Sequence, residues 1–117
     1  MQVLRLDRTD EHFYTLLGPI FGSRKVEQAT RDRFFDDPGK RWYLIPRQGA
    51  ASVLGHTLRN FWAADEEAAD RLIAAIQQDY SRLDGIAPNV HEAVFRRLGF
   101  QTSGYRKNFI EVFYEED

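Results

Sequence analysis

His91-Glu-Ala-Val-Phe-Arg-Arg-Leu-Gly-Phe100 stands shortly before Phe109-Ile-Glu-Val-Phe-Tyr114, and these two stretches decide how the chain is expected to fold at its end. The first predicts a short helix that ends at Gly99, because glycine readily adopts the left-handed conformation that terminates helices. The second is rich in β-branched and aromatic residues and predicts a strand. With residues 100–103 as the strand before it, the chain is expected to finish as a helix followed by a hairpin.

The first half of the sequence predicts a strand, two helices and a hairpin. The strand covers residues 2–7, Gly18-Pro19 breaks the first helix, and the second helix runs from Gly22-Ser23 to about Phe35. Residues 41–46 and 51–58 are the two arms of the predicted hairpin. Residues 59–63 either extend its second arm or form a strand of their own.

The second half predicts a helix, a strand and the closing helix and hairpin. Asp65-Glu66-Glu67 is an acidic first turn, and the apolar residues after it recur at helical spacing as far as Tyr80. A short strand covers residues 83–87. Asn89 and Glu92 have the spacing of a capping box, which predicts the start of the last helix.

Composition limits the size and the partners of this chain. Its 117 residues, 43% of them hydrophobic, predict a single domain over residues 1–117. The 16 basic and 18 acidic residues nearly cancel, which argues against general binding to nucleic acid or to an anionic membrane. Small molecules or proteins are the expected partners.

The sequence also bears on location. It contains no cysteine, so a disulfide framework and cysteine-ligated zinc are excluded. The start of the chain is too short and too charged for a signal peptide, and no apolar run has the length needed to cross a bilayer. A cytoplasmic protein is expected.

The order of elements and the sequence Leu98-Gly99-Phe100 resemble the GCN5-related N-acetyltransferase (GNAT) superfamily. Its C-terminal pattern is Asn-x-x-Ala-x-x-Leu-Tyr-x-x-Leu-Gly-Phe, and the resemblance in element order covers nearly the whole chain. It implies a compact α/β fold, a mixed sheet flanked by helices, with shortened central strands. It also implies acetyl-CoA-dependent N-acetyltransferase activity.

The cofactor residues depart from that superfamily. GNAT enzymes hold the CoA pyrophosphate on a Gln/Arg-x-x-Gly-x-Gly/Ala loop before the helix that follows the fourth strand. This chain has no glycine there, and Asp65, Glu66 and Glu67 would each repel a pyrophosphate oxygen by about 1 kcal/mol or more. The tyrosine that many members use as general acid falls at Phe95, which carries no proton to donate. The acetyl-CoA motif is therefore degenerate, and catalysis is an open question.

Other side chains are candidates for catalysis or binding. His56 is a candidate base, because an imidazole can accept a proton from a substrate amine, and Tyr105 is the candidate substitute for the missing general acid. A further candidate is an anion site at the start of a helix, made by Gly22, Ser23, Arg24 and Lys25. If the central strands splay as in GNAT proteins, Arg59 and Trp62, with His56, would line the cleft. No metal-ligand spacing occurs.

The last strand, from Asn108 to Tyr114, carries apolar side chains on both faces. Such a strand is either internal to a sheet or covered by a second chain, so a homodimer through this strand is one hypothesis. For function, the sequence leaves three alternatives. The first is an N-acetyltransferase, and the second is a non-catalytic GNAT-like module that acts through a protein or small-ligand partner. The third is a structural dimer whose exposed surface recruits a partner.

Overall fold

A seven-stranded mixed sheet is the centre of the fold in the computed structural model, which describes residues 2–116. The strands lie in the order β1-β2-β3-β4-β5-β7-β6, and all neighbours are antiparallel except β4 and β5. The strands are β1 (Leu4–Leu6), β2 (Arg41–Ile45), β3 (Gly49–Leu54), β4 (Thr57–Ala63), β5 (Arg82–Pro88), β6 (Gln101–Arg106) and β7 (Phe109–Glu115). The α-helices are α1 (Phe13–Phe21), α2 (Arg24–Thr30), α3 (Glu66–Asp79) and α4 (Glu92–Arg97).

One face of the sheet is covered by α3 and α4. Helix α3 begins where the acidic turn predicts, because the Asp65 carboxylate accepts a hydrogen bond from the backbone N–H of Ala68 at 2.8 Å. Its apolar stripe is buried against the sheet. The resulting α3/α4 core includes Tyr43, Phe61 and Leu83, and fully burying one such large side chain contributes about 1.5–3 kcal/mol.

The opposite face is divided into two halves. Helices α1 and α2 cover the half formed by β2, β3 and β4, where Phe13, Leu17, Trp42 and Trp62 form the α1/α2 core. Side chains of β5, β6 and β7 on the other half line an open cavity. The candidate site lies where the two halves meet.

Both N-terminal helices differ from their predicted bounds. Helix α1 does not break at Gly18-Pro19 but continues to Phe21, because Ile20 packs into the α1/α2 core and holds the last turn in place. Helix α2 ends at Thr30 rather than near Phe35. The Thr30 hydroxyl accepts a hydrogen bond from the backbone N–H of Asp32 at 3.2 Å, which draws the chain out of the helix.

The predicted arm over residues 51–58 is wrong, because the chain turns at Gly55 within it. Gly55 has φ +66°, a conformation that glycine adopts at little cost. Residues 59–63 therefore belong to a strand of their own, β4, which pairs with β3. The pairing slips beside Arg59, since Ser52 faces Asn60 whereas Val53 faces Leu58. Arg59 is the additional residue of a β-bulge.

The predicted capping box at Asn89 and Glu92 is wrong. Asn89 begins a short 3-10 turn (Asn89–His91), and α4 starts after it without a side-chain cap. The Asn89 side chain instead donates to the backbone carbonyl of Lys107 at 3.1 Å. The Glu92 carboxylate accepts a hydrogen bond from Thr102 at 2.7 Å. Both residues thus join this segment to the last hairpin rather than to each other.

Strand β7 is internal, and β6 forms the edge of the sheet. The apolar side chains on both faces of β7 are therefore explained by its own neighbours, β5 and β6. The first of the two alternatives for the strand from Asn108 to Tyr114, a place inside the sheet, is confirmed, and edge strand β6 carries mostly exposed polar residues. A homodimer through this strand stays a prediction. None of the helices in the described part is long and apolar enough to span a bilayer.

Candidate ligand-binding site

The candidate site begins where the two parallel strands separate. β4 and β5 pair at two positions, Thr57 with Asp84 and Leu58 with Gly85. Gly85 has φ +150°, and a Cβ atom there would lie 2.4 Å from the carbonyl oxygen of Leu58. Only glycine allows this approach. Beyond this point no pairing continues, and the strands leave a gap in the sheet.

The gap is filled by aromatic rings on the side of α3 and α4. The ring of Phe61 lies 5.4 Å from that of His91 and 5.3 Å from that of Phe95, measured between centroids. Phe61 and Phe95 are buried and His91 is half-buried. Burial lowers the pKa of His91 below its usual value, because an imidazolium is poorly solvated among these rings.

On the opposite side the gap opens into a cavity of about 270 Å³, which we name the splay cavity. Its wall combines charged residues of β4, of β6 and of the segment that follows α2 with an apolar floor. The charged members are Arg31, Asp32, Arg59 and Arg106. The apolar and aromatic members are Phe61, Ile86, Pro88, Tyr105 and Phe109.

Asp32 is held in place by a polar network. Its carboxylate accepts a hydrogen bond from the Asn60 side-chain amide at 3.0 Å. The amide oxygen of Asn60 in turn accepts from Lys40 Nζ at 2.9 Å and from the Ser52 hydroxyl at 2.7 Å. Lys40, Ser52 and Asn60 are all buried, so each relies on these bonds to offset its desolvation. The network fixes one carboxylate at the cavity wall.

The charges of the splay cavity are not neutralised by one another. None of the ion pairs within residues 2–116 includes Asp32 or Arg59, although both line the same cavity. The Arg106 guanidinium lies over the Tyr105 ring, 5.0 Å from its centroid. Three arginines and one aspartate thus surround a small opening in a chain whose total charge is −2.

A wider depression of about 690 Å³ adjoins the splay cavity along the uncovered half of the sheet. We name it the strand groove. Arg59 and Ile86 line both spaces. In the strand groove the Thr57 hydroxyl donates to the Asp84 carboxylate at 2.7 Å, while Glu111 adds a second carboxylate to the lining.

The structure brings together two of the residues named from the sequence. Arg59 and Tyr105 both line the splay cavity. Trp62 lies elsewhere, since it is 6% exposed in the α1/α2 core. His56 lies in the turn between β3 and β4, where its ring faces that of Tyr80 at 6.3 Å.

The segment Gly22, Ser23, Arg24 and Lys25 lies apart from both spaces. The Ser23 hydroxyl accepts a hydrogen bond from the backbone N–H of Val26 at 3.2 Å, which uses it as the cap of α2. Arg24 and Lys25 are exposed. A helix-capping role accounts for this geometry, and the proposed anion site stays a prediction.

The start of α3 is occupied by the protein's own charges. Asp65 caps the helix, and Arg97 binds Glu66 at 2.9 Å and Asp70 at 3.0 Å. Glu67 is a further acidic residue in the first turn and is exposed. Within residues 2–116 there is no group of three His, Cys, Asp or Glu side chains placed to hold a metal ion.

Several residues of the site were not predicted from the sequence. Asp32, Arg31 and Arg106 line the splay cavity, and Lys40 and Asn60 support Asp32. The signal available in the sequence was Asn60, a polar residue directly before the apolar Phe61 and Trp62 of a predicted strand, because buried strand positions rarely carry an amide without a partner.

Comparisons with known proteins support the fold. No family model and no curated protein matches this sequence. Among solved structures, TofI in an apo form matches with a TM-score of 0.66 and 18% identity, over 100% of this chain and 92% of TofI. The Campylobacter jejuni N-acetyltransferase PseH matches with a TM-score of 0.57 and 12% identity, over 99% of this chain and 98% of PseH.

PseH has also been solved in complex with acetyl coenzyme A, and that structure matches with a TM-score of 0.57 and 11% identity, over 99% of this chain and 100% of PseH. At such low identity these likenesses show the fold alone. The chain has a GNAT-like fold, a mixed sheet flanked by helices, which confirms the fold class predicted from the sequence.

Proposed function

We propose that this GNAT-like chain binds a small molecule in the splay cavity and does not use acetyl-CoA in the usual manner of the superfamily. The observation that carries the proposal is the splay cavity itself. It is open, it has an apolar floor, and it holds Asp32 and Arg59, neither of which has an ion-pair partner among residues 2–116. Small-molecule sites combine an apolar lining with a few polar groups in this way.

Two features count against CoA in its usual position. The start of α3, where GNAT enzymes place the pyrophosphate, already has one of its free N–H groups, that of Ala68, capped by the Asp65 carboxylate, and it carries Glu66 and Glu67. The gap between the central strands, which CoA fills in GNAT proteins, is occupied on the helix side by Phe61, His91 and Phe95. Binding there would require these rings to move and would place like charges together.

The test is thermal unfolding with and without millimolar acetyl-CoA, followed by isothermal titration calorimetry. We expect no change in Tm and no heat of binding. A ligand at about 100 times its Kd would add about 2.7 kcal/mol to the free energy of unfolding, which raises Tm by several degrees in a domain of this size. PseH, solved with acetyl-CoA, is the positive control. A clear shift for this chain would contradict the proposal.

A second candidate is N-acyltransferase activity. It is favoured by Tyr105, whose side chain lines the same cavity as Arg59 and carries the hydroxyl that Phe95 lacks. Tyr105 would protonate the departing thiolate, and the fold shared with PseH would supply the framework. Release of free thiol from acetyl-CoA with an amine acceptor would support this candidate, provided that Tyr105→Phe lowers the rate.

A further inference from the structure

The splay cavity holds opposite charges that do not neutralise each other. Asp32 lies in the segment that follows α2 and Arg59 lies on β4, and both line one cavity of about 270 Å³ without forming an ion pair. A cavity with separated charges of both signs complements a molecule that carries both signs itself. The size matches a small molecule, at the lower limit of typical ligand pockets.

The Asp32 carboxylate can accept further hydrogen bonds. One carboxylate oxygen accepts from Asn60 at 3.0 Å and the other from the backbone N–H of Arg33 at 2.8 Å. A carboxylate has roughly four lone-pair sites, so about two are left for a ligand. Because Lys40 and Ser52 hold Asn60, the carboxylate is positioned before any ligand arrives, which reduces the entropy cost of binding.

The direction of the Arg59 side chain is set by a β-bulge in β4. Leu58 and Phe61 both face the α3/α4 core although they are three residues apart, which an undistorted strand does not allow. The bulge at Arg59 accounts for this, and it turns the Arg59 side chain toward both the splay cavity and the strand groove. A guanidinium forms paired hydrogen bonds with a carboxylate, for which it is the best-suited side chain.

The remaining wall is suited to an apolar side chain. Phe61 is 1% exposed, so its ring is held firmly by the core, and Ile86, Pro88 and Phe109 extend the same surface. A simple anion would satisfy Arg59 and the two other arginines of the wall, Arg31 and Arg106, but would lie beside the Asp32 carboxylate, a second negative charge. A simple amine would leave Arg59 without a partner. A molecule with both groups satisfies both residues.

We propose that the splay cavity binds an α-amino acid with an apolar or aromatic side chain. The ligand carboxylate binds Arg59, the ammonium binds the Asp32 carboxylate, and the side chain lies against Phe61 and Phe109. This inference rests on the proposed function, because it specifies the ligand class of the same cavity. If the chain is instead an N-acyltransferase, the amino group of this ligand would be the acyl acceptor.

The first experiment compares L-phenylalanine with phenethylamine, which lacks the carboxylate, and 3-phenylpropionate, which lacks the amine. Binding is measured by calorimetry and by amide shifts in ¹H–¹⁵N NMR spectra of the full chain. We expect L-phenylalanine to bind about tenfold or more tightly than either analogue, since each analogue loses one charge-assisted pair. Shifts should concentrate at Asp32, Phe61 and Ile86.

The second experiment uses Arg59→Gln, Asp32→Asn and the control Arg71→Gln, an exposed arginine of α3. Asp32→Asn keeps an oxygen that accepts the hydrogen bond from Asn60. We expect Arg59→Gln to remove the preference for L-phenylalanine over phenethylamine and Asp32→Asn to remove its preference over 3-phenylpropionate. Arg71→Gln should retain both preferences.

The outcomes separate this inference from the proposed function. If 3-phenylpropionate or phenethylamine shifts the cavity resonances as strongly as L-phenylalanine, the amino-acid inference is overturned while small-molecule binding stands. If L-phenylalanine, L-leucine and L-methionine all leave the cavity resonances unchanged, the inference is also overturned. If a fragment library gives no shifts there either, the proposed function fails as well.

Discussion

At the scale of single residues, His91 illustrates how burial changes the role of a side chain. The sequence favours a surface or capping role for it, near the start of the last helix. In the structure its backbone lies at the start of α4 but its ring does not cap the helix. The ring packs against Phe61 and is half-buried, and burial lowers its pKa.

The lowered pKa of His91 predicts a pH-dependent stability. The unfolded chain binds a proton at His91 near pH 6.5, whereas the folded chain takes up that proton only at lower pH. The free energy of unfolding should therefore fall as the pH is lowered through 6.5 toward the folded pKa. Urea unfolding of the wild type and of His91→Gln at several pH values from about 7.5 to about 5.5 checks this. Equal slopes in the two proteins would contradict the assignment.

At the scale of elements, the junction of β4 and β5 depends on one glycine. The strands are in register at Thr57 with Asp84 and at Leu58 with Gly85, and pairing ends there. Gly85 lies close against the Leu58 backbone, and β4 and β5 separate directly after this pair. This contact therefore determines where the gap that opens into the splay cavity begins. The gap in the sheet is thus determined at a single contact between two strands.

Gly85→Ala should destabilise the protein by roughly 2–4 kcal/mol, because the added Cβ overlaps the Leu58 backbone and φ +150° is strained for alanine. Gly104→Ala is the matched control, since nothing lies within 4 Å of its added Cβ, and its effect should stay within about 0.5 kcal/mol. Chemical denaturation of both variants is the measurement. If Gly85→Ala were as stable as Gly104→Ala, the close contact between Gly85 and the Leu58 backbone would not be required for the stability of the fold.

At the scale of the whole molecule, α3 and α4 cover one face of the sheet, while α1 and α2 cover the β2, β3 and β4 half of the other face. Both tryptophans, Trp42 and Trp62, lie in the α1/α2 core, while the other core has none. Tryptophan fluorescence therefore reports on one face, whereas far-UV circular dichroism reports on all the helices and strands. The two signals can reveal whether the faces unfold together.

We expect coincident urea midpoints for fluorescence and circular dichroism, because β2, β3 and β4 contribute side chains to both cores and couple them in one cooperative unit. Leu17→Ala should shift both midpoints together, with a loss of about 2–5 kcal/mol for a fully buried leucine. A fluorescence transition at lower urea than the circular dichroism transition would contradict a single unit over residues 1–117.

The sequence predicted the features that depend on near neighbours in the chain. The apolar stripe and the acidic cap of α3 follow from residues within one or two helical turns of each other. The closing helix and hairpin follow from Leu98-Gly99-Phe100 and the last strand in the same way. Even so, local patterns placed the end of α2 too late and missed the turn at Gly55. The pattern of apolar residues reveals neither the hydrogen bond of the Thr30 side chain that ends α2 nor the backbone conformation of Gly55.

Only the tertiary structure decided the site. Asp32 and Asn60 are 28 residues apart, and the chain between them gives no local indication that they form a hydrogen bond. Arg59 was named from the sequence, but its bulge and its place beside Asp32 and Tyr105 depend on strand register and on the parallel pairing of β4 with β5. The physical reason is that burial and register arise from contacts between distant segments, while a sequence pattern records only the preferences of neighbouring residues.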